Sequence, residues 1–250
     1  TDHRTMAHPV AVTTPRARKT TTPRDSRAAE LLPMPTSAWA AYLSAHSGLP
    51  GPRANLELVA AFAPLADEPT IDALLTTGDE YHAMCAAAAL GMRVEGAASE
   101  KRARELAADA RWRVREGVAL GLQLLGDARP AALASIVDAW VDRAHPLVQR
   151  AALAAICEPR LLRDPRMAEL ALDACERTTQ YLASQPPAER KTPDVRTLRL
   201  ALGYCWSVAV AADPMRGLPV FAALDTGDPD VAWIVTQNCR KKRLSRLLDS

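Results

Sequence analysis

The run Asp109-Ala-Arg-Trp-Arg-Val-Arg-Glu-Gly-Val-Ala-Leu-Gly-Leu-Gln-Leu-Leu-Gly126 constrains this chain more than any other segment. Its apolar residues recur at helical spacing. Turning Val114 inward places Val118, Gly121 and Leu125 on the same side and Trp112, Glu116, Ala119 and Gln123 opposite. The pattern returns in degenerate form. Setting Ala83, Val114, Val148, Val195 and Val231 in one register gives spacings of 31, 34, 47 and 36 residues. The long spacing is absorbed by Gln185-Pro-Pro-Ala-Glu-Arg-Lys-Thr-Pro193. Four positions after each inward residue stand Ala87, Val118, Ala152, Arg199 and Val235, of which Arg199 is the misfit, marking a shifted register or a distorted fourth repeat. A single helical hairpin cannot cover its own apolar stripe, whereas stacked hairpins bury it continuously.

Composition agrees with helix throughout. The chain is 48% hydrophobic but only 4% aromatic, with alanine and leucine dominant and few β-branched runs. Helices are expected at 37–47, 56–66, 70–78, 80–92, 99–108, 111–125, 130–141, 146–157, 165–185, 193–212, 215–224 and 229–248. Gly48-Leu-Pro-Gly-Pro52 ends the first of them, Asn55 and Asp228 are candidate caps, and Pro146, Pro193 and Pro229 suit first helical turns. The expected fold is an all-α superhelix, a solenoid of about six hairpins over 36–250, preceded by a flexible basic Thr/Pro/Arg-rich tail over 1–35.

No apolar stretch is long enough to span a bilayer, and no apolar signal core opens the chain, so a cytoplasmic protein is expected. The cysteines at 85, 157, 175, 205 and 239 form no C-x-x-C pair and have no histidine at zinc-ligand spacing, which predicts reduced thiols and no metal. His82 and His145 precede two second helices and read as turn or capping residues. Phosphate-binding glycine loops and hydrolase or zinc-protease motifs are absent, so no cofactor is expected.

Charge is unevenly placed. Residues 1–27 carry +4, the run Arg240-Lys-Lys-Arg243 with Arg246 carries +5, and residues 28–239 carry −6. Within that body, residues 101–166 hold twelve cations against eight acids, a candidate phosphate-facing patch or a set of arginines bonded between repeats.

The spacing resembles HEAT repeats, in which second helices often carry Asp or Pro near the start, then Val, then Arg; Arg115 and Arg196 follow Val114 and Val195 in this way. Trp112-Arg-Val-Arg-Glu116, Ala139-Trp140 and Val148-Gln-Arg-Ala-Ala152 are also similar to segments of the HEAT-like-repeat alkylpurine DNA glycosylases. That second resemblance implies a concave stripe of aromatics and a carboxylate holding damaged DNA, with Glu116 or Asp142 as the carboxylate. The binding-surface candidates are Trp112, Arg115, Glu116, Arg150, Trp233, Arg240, Lys241, Lys242 and Arg243. Trp112 either packs between repeats or faces a ligand, and Arg240 to Arg243 either complement a helix C-terminus or contact a partner. The expected role is a non-enzymatic scaffold presenting its second helices to a protein or nucleic acid, with no membrane association; the alternative is DNA alkylation repair.

Overall fold

The computed structural model describes residues 22–142 and 145–249. Their fourteen α-helices are α1 (Pro23–Leu31), α2 (Trp39–His46), α3 (Leu56–Phe62), α4 (Glu68–Thr76), α5 (Glu80–Met92), α6 (Ala97–Ala107) and α7 (Trp112–Ala128), followed by α8 (Pro130–Val141), α9 (Pro146–Ile156), α10 (Pro165–Ser184), α11 (Pro193–Ala212), α12 (Pro214–Ala222), α13 (Pro229–Cys239) and α14 (Lys242–Leu248). No strand occurs among the described residues, and none of their helices is long and apolar enough to cross a membrane.

The helices begin where short polar side chains can accept the first free backbone N–H groups. Asn55, Asp67, Asp79, Asp164, Asp213 and Asp228 each do so at their own helix starts. Proline occupies the first turn of every helix from α8 to α13, where its missing N–H costs nothing. Gly78, at φ +76°, takes the left-handed turn that ends α4.

Two elements differ from the sequence expectation. Residues 23–31, placed in the tail, form α1; its capping box joins Thr22 Oγ1 to the Asp25 N–H at 3.2 Å and the Asp25 carboxylate to the Thr22 N–H at 3.1 Å. Leu31 is fully buried, and the Trp39 indole donates to its carbonyl at 3.3 Å. The basic residues Arg4, Arg16, Arg18 and Lys19 lie outside the described residues, as does Arg143. The last expected helix, 229–248, breaks after Cys239, and the break lets fully buried Leu244 of α14 reach the core beside α11. Buried Asn238 secures that corner: its amide donates to the carbonyls of Leu202 and Ile234, both at 2.8 Å, and its oxygen accepts from the Ser207 N–H at 2.8 Å.

The helices α5, α7, α9, α11 and α13 contact one another in that order, and the first four of them also pack on the helix that precedes each in the chain. Ala83, Val114, Val148, Val195 and Val231, the shared inward register, are all buried. The tightest contact is α5 on α7. A side chain begun at Gly117 would meet the Met84 carbonyl oxygen at 2.4 Å, and one begun at Gly121 would meet that of Ala88 at 2.2 Å. Only glycine lets these two backbones approach so closely. Arg199 owes its misfit to the α11–α13 contact, where it pairs with Asp230 at 2.6 Å and lies 4.4 Å from the centre of the Trp233 ring.

Candidate binding groove

The polar side of α7 does not end at solvent. Trp112, Arg115, Glu116, Ala119 and Gln123 line one wall of a groove of about 660 Å³ that continues over Arg150 and Ala154 of α9 to Thr197, Leu200 and Tyr204 of α11. Helical periodicity explains the convergence: residues opposite the buried register of three successive helices face the same way. Trp112 is 51% exposed, so it faces the groove and is not sealed between helices. The Arg113 guanidinium covers its ring at 4.8 Å and also holds Glu80 of α5 at 2.9 Å.

The groove is apolar where a soluble surface is ordinarily polar. Leu56 is 53% exposed, Leu200 60% and Tyr204 44%, and with Trp112 they are four of the seven large apolar or aromatic side chains exposed among the described residues. Leu56, Leu200 and Tyr204 are the functional candidates that sequence reasoning missed. A signal existed for two of them, since Arg196, Leu200 and Tyr204 fall at i, i+4 and i+8 on the side of α11 away from buried Val195, Leu198 and Leu202.

Its charges are largely neutralised from within. Glu116 pairs with Arg150, whose side chain is 16% exposed. Arg115 donates to the carbonyls of Asp109 and Ala110 at 2.6 and 3.0 Å, binding the entry to α7. Across the floor, Gln123 donates to the Ala154 carbonyl at 2.9 Å. Of the twelve cations between 101 and 166, eight pair with carboxylates: Arg102, Arg104, Arg111, Arg113, Arg129, Arg150, Arg160 and Arg166. Among its described residues the run is mainly a set of fastenings, many between different helices. Asp109 illustrates the electrostatic consequence: the Arg111 guanidinium and backbone N–H hold its carboxyl below the usual range, against the opposing effect of partial burial.

The other predicted residues lie elsewhere. Asp142 follows α8 and binds Arg177 at 2.7 Å, in a cluster with Asp138 and Asp173, away from the groove lining. Trp233 packs over Gly203, where an added methyl would meet its ring at 2.8 Å. The run Arg240 to Arg243 spans the end of α13 and the start of α14, so the helix dipole that favours it on one side is offset by that on the other. From this corner Arg243 donates to the Tyr204 hydroxyl at 2.9 Å and covers its ring at 4.9 Å, with the Lys241 ammonium at 5.6 Å. The basic run therefore borders the groove through Tyr204.

Cys157 and Cys205 lie in the groove floor, with the Cys157 and Cys175 sulfurs 3.9 Å apart. All five cysteines are free; burial pushes the Cys175 thiol up, and hydrogen bonding between thiols together with burial raises Cys205. No group of three metal-ligating side chains forms among the described residues. His82 is buried and joins Thr77, Ala40 and Ser44, while His145 accepts the Leu147 N–H at 3.3 Å as the cap of α9. No family model matches the chain, and neither a curated protein nor a solved structure is significantly similar to it.

Proposed function

We propose that this chain is a non-enzymatic, HEAT-like solenoid whose groove over α7, α9 and α11 binds a protein segment. The observation that carries the reading is the concentration of half-exposed Leu56, Trp112, Leu200 and Tyr204 around one concave surface whose buried charges are internally paired. Apolar surface of this kind gains free energy when covered, and the Glu116–Arg150 pair leaves the middle of the groove without a free cation for a phosphate backbone, the unpaired cations standing at its edge beside Tyr204. A photo-cross-linking side chain installed at Thr197 in the groove should form covalent adducts with protein in cells; the same group at Met215, which is 90% exposed and outside the groove, is the control. Equal adducts at both positions, or adducts to nucleic acid alone, would reject the proposal.

One observation supports a second reading, alkylation repair: Trp112 stands half-exposed beside Glu116 in a concave site, an arrangement suited to stacking a base near a carboxylate. The pairing of Glu116 with Arg150 weighs against a free catalytic carboxylate. Release of methylated base from duplex DNA by the wild type, lost in Glu116→Gln, is the outcome this reading requires.

A further inference from the structure

Building on the groove as a partner site, we infer that its occupant is an acidic amphipathic helix, with apolar anchors on one face and aspartate or glutamate around them. The argument starts from which charges are spent. The groove carboxylates Glu116 and Glu158 already pair with Arg150 and Arg160. Just beyond the lining, along the stripe of α11 that edges the groove, the opposite holds. No ion pair joins Arg196, Lys241 or Arg243 to a carboxylate among the described residues, nor do Arg240, Lys242 and Arg246 have one. Arg196 stands one turn before Leu200, and Lys241 and Arg243 bracket Tyr204 one turn after it.

The uncovered surface is thus apolar in the middle and positive at both ends of the α11 stripe. For a basic ligand, the two carboxylates that line the groove, Glu116 and Glu158, are already engaged. A nucleic acid finds no continuous track of free cations, since those between 240 and 246 cluster at one corner and Arg196 stands apart across Leu200 and Tyr204. A peptide whose acidic residues flank apolar anchors satisfies both parts of the surface.

The secondary structure of the occupant follows from the host. The groove is walled by helices and by the loop residues Cys157 to Pro159, and no strand occurs among the described residues, so no strand edge is offered for main-chain pairing and a covered peptide must satisfy its own backbone N–H and C=O groups. The axes of three packed helices span about 20 Å at roughly 10 Å per step. That distance is covered by about 13 residues of helix.

The test is a displayed library of helices about fifteen residues long, with apolar anchors at i, i+3, i+4 and i+7 and Glu, Lys or Gln at all other positions, selected on the full chain. Enriched sequences should be net acidic, bind more weakly as salt rises, and lose at least about tenfold in affinity on Leu200→Asp and on the double variant K241E/R243E. Circular dichroism should show unchanged helicity in both, because Leu200 is exposed and an acid near the start of α14 is compatible with its dipole. Trp112→Ala, at another exposed site, is the second groove variant should Leu200→Asp lose helicity. Basic or neutral binders that still need Leu200 or Trp112 would overturn the acidic occupant and leave the groove standing. Binders indifferent to both residues, or no enrichment, would remove the groove reading as well. An oligo-dT strand binding more tightly than the best helix, and weakened by K241E/R243E, would replace peptide with nucleic acid and overturn the inference.

Discussion

Single residues in this protein often serve packing where their chemistry suggests function. Asp228 is a clear case: it accepts the N–H groups of Asp230 and Val231 at 2.9 and 3.2 Å while holding Arg190 at 2.6 Å. Partial burial raises its carboxyl, but Arg190 and the two N–H groups outweigh that and leave it below the usual value. Asp228→Ala should cost about 2 kcal/mol in urea unfolding at neutral pH, and Asp228→Asn, which can still cap α13, about half as much. The cysteines give a second residue-scale test. Cys239 is partly exposed and the other four are buried, so native protein should react with a thiol reagent rapidly at one site and slowly at the rest. In Cys239→Ser the rapid phase should vanish, and denaturant should release the remaining thiols together.

At the scale of elements, two glycines have different requirements that stability measurements can separate. Gly78 needs a left-handed backbone but has nothing within 4 Å of an added methyl, so Gly78→Ala should cost about 1 kcal/mol. Gly121 has an ordinary helical backbone but no room at all against the Ala88 carbonyl. Gly121→Val should cost about 3 kcal/mol or more, because α5 and α7 must move apart. The helix α5 contributes Ala83, Ala87 and Leu90 to the core of the later helices and Tyr81, Met84, Cys85 and Ala88 to that of α1–α4. Wedging it from α7 should therefore split one thermal unfolding transition into two, visible by calorimetry; a single sharp transition with unchanged Tm would refute the close-approach argument.

For the whole molecule, aspartates held by hydrogen bonds at helix starts link electrostatics to stability. Asp67, Asp109, Asp164 and Asp228 all have carboxyls held below the ordinary range, Asp67 by the Thr70 side chain and N–H and the other three by arginines and backbone N–H groups. A carboxylate depressed in the folded state stabilises it above the unfolded value, about 3.9 for aspartate, and that contribution disappears as pH falls through the lower folded value. These groups should keep their contribution roughly constant between about pH 5 and 7 and lose it below about pH 4. Subtracting the curve of Asp228→Ala from that of the wild type should give a difference that shrinks over the acid range; a constant difference would contradict the assigned cause.

The inward register and most helix starts were legible in the sequence because they depend on local chemistry: period, proline at a first turn, an aspartate or asparagine cap. The capping box around Thr22 was equally local, but the polar composition surrounding it concealed α1. The outward position of Trp112 and Glu116 was legible too, since their side of α7 follows from its period. Which charges remained free was not. Arg150 could face phosphate or Glu116, and Arg240 to Arg243 could lie along one helix or turn a corner; the choice depends on partners 34 to 39 residues away in the chain. Sequence alone determined an all-helical chain with a repeated buried face, because backbone propensity and apolar period are read one segment at a time. Tertiary structure alone decided that Leu56, Leu200 and Tyr204 join Trp112 around a groove with its inner charges paired, because burial and ion pairing depend on distances between helices that no local pattern encodes.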